Sequence, residues 1–179
     1  MNLHDITLIS FGYFENNFLR NVVENIHHEY KLNIHLREGH LDLSDFYHPA
    51  RRQYDANKLL QQLEDHFCSD DCKTIGLFNV DLFIPIFTYI FGQAYLGGRS
   101  GIASIFRLSN ERYGIAPDDN LLLERFSKEI IHELGHTFNL IHCHVPDCVM
   151  ISGTYVEDID QKTSHLCPSC KTKLQHKLQ

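Results

Sequence analysis

The chain has 179 residues, 43% of them hydrophobic, and a formal net charge of −7 at pH 7. This length and composition predict one compact domain with at most a small appendage. The acidic balance argues against a general binder of nucleic acids or anionic membranes, because such proteins need a basic surface. We expect a cytoplasmic protein, since no stretch reaches the roughly 18 to 20 apolar residues of a membrane span and residues 1–14 show no basic leader.

The first part of the chain alternates strand and helix patterns. Residues 5–10 are a short β-branched run that predicts a strand, and residues 14–30 carry apolar side chains at helical spacing. Residues 31–39 alternate like a half-buried strand. The polar segment 40–55 indicates a loop, and residues 56–67 indicate a second helix.

Three strand-like runs follow at 74–83, 88–96 and 101–109, separated by a proline and by a Gly-Gly turn signal. An alternation of strands and helices that ends in three strands predicts an α/β fold with a mixed sheet flanked by helices. Beyond Met150 the apolar content drops, and the chain closes with a CPSC cysteine pair. We expect this end of the chain to form a small C-terminal lobe.

A long helix is predicted from the Pro-Asp-Asp start signal at 117–119, and it leads into HELGHTFNLIHCHVPDCVM at 132–150. His132 and His136 lie four residues apart, so their imidazoles share one face and can bind one metal ion. Glu133 lies about 100° round the helix, where a carboxylate can take a proton from a metal-held water. In a chain with 13 histidines the five-residue pattern alone is weak evidence.

A third histidine strengthens the interpretation. An unbroken helix would carry His142 roughly 9 Å beyond His136, whereas zinc needs its nitrogens within about 2.1 Å. The helix must therefore end between them, and Asn139 can end it because asparagine tolerates the left-handed conformation. Three neutral nitrogens leave a fourth position for water, which is the layout of a catalytic zinc site.

Four cysteines form two closely spaced pairs, Cys143 with Cys148 and Cys167 with Cys170. Two such pairs suit a tetrahedral zinc closed by four thiolates. We interpret this as a structural site that clamps the C-terminal lobe, whose apolar content is too low to fold it unaided. The sequence thus predicts two Zn²⁺ ions per chain, one catalytic and one structural.

The pattern HExxHxxNxxHC, followed by Cys148, Met150 and a later CxxC, resembles the signature of the archaemetzincins, a branch of the metzincin zinc metallopeptidases. The run from residue 76 to 109 also resembles that family's sheet, so the likeness covers residues 5 to 170. Two departures occur. Asn139 stands where the family usually has glycine, and the stretch from Met150 to Cys167 is one residue shorter than usual.

The resemblance implies a metzincin-like fold with a mixed, mainly parallel twisted sheet, a long active-site helix and a small zinc-clamped C-terminal lobe. It makes Glu133 the general base and acid and Met150 the methionine-turn residue under the histidines. It implies ligands for two zinc ions: His132, His136 and His142 for the catalytic ion, and Cys143, Cys148, Cys167 and Cys170 for the structural ion.

The function implied is hydrolysis of peptide bonds by a zinc-bound water that Glu133 activates, on short peptides or exposed chain ends. By the same resemblance, an extended peptide substrate pairs with the edge strand, here Tyr89 to Leu96. We expect a monomer that binds no nucleic acid and no membrane. Within one compact catalytic domain, residues 1–142 would carry the sheet and the active-site helix, and residues 143–179 the methionine turn and the four-cysteine site.

Two alternatives stay open. A metal-bound, catalytically silent peptide-binding module would have the same ligands. A zinc ribbon that binds nucleic acid could use the basic residues near the cysteine pair, although the acidic chain and the absence of interleaved aromatic residues argue against it. We interpret these lysines as a solvated tail: Lys162, Lys171, Lys173 and Lys177. We interpret the remaining histidines and cysteines of interest as solvated side chains and ordinary thiols: His144, His165, Cys68 and Cys72.

Overall fold

A computed structural model of the chain describes residues 5–178, so Met1–His4 and Gln179, the outermost residues of the two predicted subdomains, lie outside it. The strands are β1 (Asp5–Phe11), β2 (Asn33–Gly39), β3 (Tyr47–His48), β4 (Gln53–Asp55), β5 (Cys72–Phe78), β6 (Leu82–Phe83), β7 (Gly92–Ala94) and β8 (Ser100–Ser104). The helices are α1 (Asn16–Tyr30), α2 (Ala56–His66), α3 (Asp119–Thr137), α4 (Val156–Gln161) and α5 (Pro168–Leu178).

The main sheet has the strand order β2-β1-β5-β8-β7. Its neighbouring strands are parallel except at one edge, where β7 is antiparallel to β8. This confirms the predicted mixed, mainly parallel sheet. The antiparallel edge strand follows from the connection between β7 and β8, which is a tight turn and has no room for the crossover that a parallel pair requires.

Two of the sequence-based element assignments were too simple. The segment 40–55 contributes β3 and β4 to a second sheet of order β3-β4-β6, in strands too short for an alternating pattern to show. The run 74–83 is two strands, β5 and β6. The turn between them is held by the hydroxyl of Ser104, which donates to the Val80 carbonyl and accepts from the Val80 N–H.

The other two runs form shorter strands than predicted. Within 88–96 only Gly92–Ala94 pairs as a strand, with one further bridge between Leu82 and Ile90. Within 101–109 the strand ends at Ser104, and Phe106–Leu108 is a turn of 3-10 helix. The apolar residues beyond these strands enter the core from turns, so their sequence pattern cannot be told from that of a strand.

Helices cover both faces of the main sheet. The alternation of side chains along β1 sends Ile6 and Leu8 to the face covered by α1 and α3. It sends Ile9 and Phe11 to the face covered by α2. Because parallel strands need cover on both sides, this explains the long apolar runs of the central strands. None of the described helices is long and apolar enough to cross a membrane.

The C-terminal part packs onto the helix that carries the histidine motif. Arg125 of α3 donates two hydrogen bonds of 2.7 Å to the carboxylate of Asp160 in α4. Lys128 of α3 donates to the carbonyl of Ile159. Apolar side chains of this part belong to the same core cluster as those of α1 and α3: Val149, Met150, Val156, Ile159, Leu166 and Leu174. A division of the chain at residue 142 stays a prediction.

Candidate active site and second metal site

Helix α3 begins and ends as its sequence indicates. The carboxylate of Asp118 caps the first turn by accepting the Leu121 N–H at 2.9 Å. At the other end Asn139 has φ of 65°, which confirms the predicted left-handed residue. The N–H groups of Asn139 and Leu140 donate to the carbonyls of His136 and Gly135. These two bonds form a Schellman motif, which stops the helix and reverses the chain.

The reversal brings the three histidines together. The ring centroids of His132 and His136 lie 4.6 Å apart, and that of His142 lies 5.3 and 4.9 Å from them. The Nε2 atoms of His132 and His136 are 3.0 Å apart, and one nitrogen from each of the three rings lies within 4.8 Å of the others. A tetrahedral zinc ion with Zn–N bonds of about 2.1 Å needs nitrogens about 3.4 Å apart. The separation of the His132 and His136 nitrogens is close to this value, so the three rings are placed to hold such an ion.

Hydrogen bonds to carbonyl groups orient two of the rings. The Nδ1 of His132 lies 2.9 Å from the carbonyl oxygen of Val149, and that of His136 lies 2.8 Å from the carbonyl oxygen of Leu140. Each Nδ1 must donate to its carbonyl, so each Nε2 keeps its lone pair for a metal. Burial, reinforced by Lys162 and His136, lowers the pKa of His132 well below its ordinary value. The neutral form of this ligand is therefore favoured.

Met150 is fully buried against the active-site helix. A Cβ atom at Gly135, between the two helical histidines, would clash with its Sδ. The carbonyl of Met150 accepts the N–H of Cys143 at 2.9 Å, so the chain that leaves His142 is tied to the turn containing the methionine. Glycine at 135 thus lets the turn that contains Met150 approach the helix beside the three histidines.

Glu133 is a buried carboxylate with an unused acceptor. Its residue is 4% exposed, and its Oε2 has no hydrogen-bond partner among the described residues. Burial and the neighbouring carboxyl group of Glu129 raise its pKa well above the ordinary value. Sequence reasoning missed Glu129, which lies one helical turn earlier, is buried and shares a hydrogen bond with Glu133. Its four-residue spacing from Glu133 was a usable signal.

The edge strand β7 packs directly on this carboxylate pair. A Cβ atom at Gly92 would lie 2.8 Å from Cγ of Glu133 and 2.9 Å from Oε1 of Glu129. The predicted edge segment Tyr89 to Leu96 therefore does border the histidine site, although only its middle pairs as a strand. A cleft opens here between β7, α3 and the chain at 152–154.

Lys162 also lines this cleft, which corrects its assignment to a solvated tail. The residue is 4% exposed, and its Nζ donates to the carbonyl of Ile151 at 3.0 Å. The residue directly follows α4, and the packing of α4 on α3 turns its side chain inward. Sequence spacing carries no sign of this, because the contact depends on how two distant segments pack.

The four paired cysteines form the second cluster. The Sγ atoms of Cys143 and Cys167 lie 3.8 Å apart, and those of Cys148 and Cys170 lie 3.9 Å apart. All four thiols are free, and these separations match the roughly 3.8 Å edge of a tetrahedron with Zn–S bonds of about 2.3 Å. Burial raises the pKa of Cys167, but donors from Cys170 and the other two cysteines outweigh burial and lower it to about 7.

The other histidines and cysteines differ in their contacts. Cys68 follows the end of α2 and Cys72 begins β5, and neither belongs to a metal-ligand cluster of the described residues. His165 is bonded rather than only solvated, because its Nδ1 lies 2.8 Å from Oε2 of Glu29. With His28 these two residues form a third group of possible metal ligands.

Comparisons with known proteins agree with this geometry. Residues 6–176 match peptidase family M54. The chain is 38% identical to the archaemetzincin of Pyrococcus horikoshii over 90% of this chain and 87% of that protein. It is 36% identical to the archaemetzincin of Thermococcus kodakarensis over 97% of each chain.

Two solved structures are also similar. A zinc-dependent peptidase from Methanocorpusculum labreanum matches with a TM-score of 0.85 and 28% identity, over 94% of this chain and 99% of that one. The archaemetzincin of Methanopyrus kandleri matches with a TM-score of 0.84 and 31% identity, over 97% and 94%.

Proposed function

Since the chain belongs to peptidase family M54, the archaemetzincin family of zinc metallopeptidases, we propose that it hydrolyses peptide bonds at the three-histidine cluster, with Glu133 as general base and acid. The substrates we propose are short peptides or exposed chain ends. The observation that carries the proposal is the convergence of three imidazoles beside one buried carboxylate oxygen that lacks a partner.

The proposed zinc ligands are His132, His136 and His142. When bound there, zinc supplies Lewis acidity and can lower the pKa of a bound water to about 7. Oε2 of Glu133 is free to accept a proton from the attacking water. Because burial and Glu129 raise its pKa, the protonated carboxyl can hold that proton and then donate it to the departing amine.

The edge strand supports an extended peptide as the substrate. β7 pairs with β8 on one side, and no described strand pairs with its other side. A peptide that adds to this free edge gains main-chain hydrogen bonds and passes over the histidines. We propose that the central residues, Gly92–Ala94, make these bonds, while the outer parts of Tyr89 to Leu96 contact substrate side chains.

We propose Cys143, Cys148, Cys167 and Cys170 as ligands of a second, structural zinc ion. The separations between their sulfur atoms and their burial support a closed site without a position for water. Two zinc ions per chain, a monomeric state and a cytoplasmic location stay predictions.

The proposal is tested with Glu133→Ala and Glu133→Gln, assayed against a mixed peptide library. General acid and base catalysis is typically worth about 10² to 10⁴ in rate, so both variants should lose that factor while they keep their zinc. Asp119→Asn is the matched control, because Asp119 is an exposed acidic residue in the first turn of the same helix.

Equal cleavage by the parent and by both Glu133 variants would contradict the proposal that this site hydrolyses peptides. Absence of cleavage by the zinc-loaded parent would favour the silent peptide-binding module. Salt-sensitive association with nucleic acid would favour the zinc ribbon.

A further inference from the structure

Lys162 is a buried cation without an ion pair among the described residues. One hydrogen bond, to the carbonyl of Ile151, uses one of the three N–H donors of its ammonium group. Glu129 and Glu133 act on it electrostatically, but neither carboxylate forms a salt bridge with it. Since a buried ammonium group is costly unless it is fully hydrogen-bonded, the remaining donors indicate a ligand that enters the cleft.

A second buried lysine shows how this fold satisfies such a group when no ligand is needed. Lys128 is 2% exposed, and its Nζ donates to the Ile159 carbonyl and pairs with Glu124 at 2.6 Å. Lys128 does not line the cleft, whereas Lys162 does. The two lysines therefore differ in the feature that matters, which is an unused donor facing the substrate site.

The position of Lys162 along a bound peptide follows from the direction of β7. The Gly92 end of β7 contacts Glu129, and the chain beyond Ala94 reaches the end of α3, where the Gly97 N–H donates to the His136 carbonyl. A peptide antiparallel to β7 therefore runs from the His136 side toward the Glu129 side. Lys162 directly follows α4, and α4 is bonded to Arg125 and Lys128 of α3, which precede Glu129. The lysine therefore lies on the Glu129 side of the histidines, beyond the scissile bond and toward the peptide's C-terminus.

We propose that the ammonium group of Lys162 binds a carboxylate on the C-terminal side of the scissile bond and thereby selects the substrate. The substrates are peptides with a negative charge at that place, either the free C-terminal carboxylate or an Asp or Glu side chain. An ammonium–carboxylate contact is charge-assisted and is therefore roughly twice as strong as a hydrogen bond between neutral groups. This inference rests on the proposed function, because it takes the cleft as the peptide site.

The kinetic test compares peptides that differ in one charge. One pair is N-acetyl-trialanine with a free C-terminal carboxylate and the same peptide as its amide. The other pair has Asp or Asn after the scissile bond in an otherwise identical amidated peptide. Zinc-loaded parent, Lys162→Met and Lys128→Met proteins are assayed with all four. Methionine keeps the length and apolar stem of lysine, and Lys128→Met controls for loss of a buried ammonium group outside the cleft.

The parent and Lys128→Met should prefer at least one charged peptide over its neutral partner by roughly ten- to a hundredfold in kcat/KM. The pair that shows the preference identifies the source of the carboxylate. Lys162→Met should lose this preference and still cleave the neutral peptides. A preference that survives Lys162→Met would overturn the proposal. So would an equal loss for charged and neutral peptides, since that result would assign Lys162 to the electrostatics of Glu129 and Glu133.

A binding measurement keeps the two proposals separable. Calorimetric titration of zinc-loaded Glu133→Gln protein with the same four peptides, with and without Lys162→Met, needs no turnover. Charge-selective binding that disappears with Lys162→Met supports the carboxylate site even if the parent cleaves nothing. Absence of cleavage would contradict only the proposed hydrolytic function. Equal binding of charged and neutral peptides to the Glu133→Gln protein overturns the role of Lys162.

Discussion

Replacing Asn139 tests the chain reversal on which the active site depends. Asn139 has φ of 65°, a conformation that costs an ordinary L-residue roughly 1–2 kcal/mol but costs glycine almost nothing. Asparagine is the side chain that tolerates it best after glycine. We therefore expect Asn139→Ala to lower the free energy of unfolding of the zinc-loaded protein by about 1–2 kcal/mol relative to Asn139→Gly.

The loss of 1–2 kcal/mol is divided between two measured quantities, the stability of the zinc-free protein and the affinity for zinc. If the Schellman hydrogen bonds hold the reversal in the absence of metal, zinc-free Asn139→Ala protein already carries the loss. If the zinc-free segment relaxes instead, His142 leaves the cluster and zinc binding must restore it, which weakens zinc affinity by roughly five- to thirtyfold. For a domain of this size 1–2 kcal/mol corresponds to a fall in Tm of about 2 to 8 °C.

The measurements are denaturant unfolding with and without zinc and a zinc dissociation constant for each variant. Lys31→Ala is the control, because Lys31 also ends a helix in the left-handed conformation, with φ of 56°, but lies at the end of α1. Lysine and alanine both carry a Cβ atom, so this substitution should change the stability little and the zinc affinity not at all. The reasoning is refuted if Asn139→Ala matches Asn139→Gly in both stability and zinc affinity.

Three further outcomes are expected. Cys170→Ser should reduce the zinc content from two ions to one per chain by metal analysis, whereas Cys72→Ser should keep both, and loss of zinc from both variants would argue against separate sites. Arg125→Ala should lower the free energy of unfolding in urea by about 1–3 kcal/mol, because it leaves the buried Leu108 carbonyl and Asn110 Oδ1 without their donor, and no measurable loss would contradict that role. Burial lowers the pKa of all three clustered histidines. Their stabilising contribution is therefore present above the ordinary pKa of 6.5 and is lost as the pH falls through the lowered pKa values. Zinc should remain bound at about pH 6.5 and dissociate only in more acid buffer, which a metal-sensitive dye would record.

Local features of the sequence were enough to predict the helix that carries His132 and His136 and the residue at which it ends. The spacing of His132 and His136 is set by the helical repeat, and Asn139 breaks the helix through its own backbone preference. Both effects act within a few residues, so they can be inferred without knowing the rest of the fold. The same holds for the two cysteine pairs, whose short spacing limits each pair to one side of a metal site.

The length of the strands could not be inferred in the same way. Ser104 holds a turn through Val80, which is 24 residues away, and this contact splits an apolar run that reads as one strand. The burial of apolar side chains in turns also hides the ends of β7 and β8. Periodicity reports which side chains are buried and says little about which backbone groups pair.

The sequence by itself determined the candidate metal ligands on the helix, the helix that carries two of them and the reversal that returns the third histidine, because each depends on neighbours within about one or two helical turns. Only the tertiary structure decided what surrounds them. Gly92 brings the edge strand against Glu133, and the packing of α4 on α3 turns Lys162 into the cleft. These contacts join segments more than 25 residues apart, and they follow from the packing of buried surfaces, which no local spacing encodes.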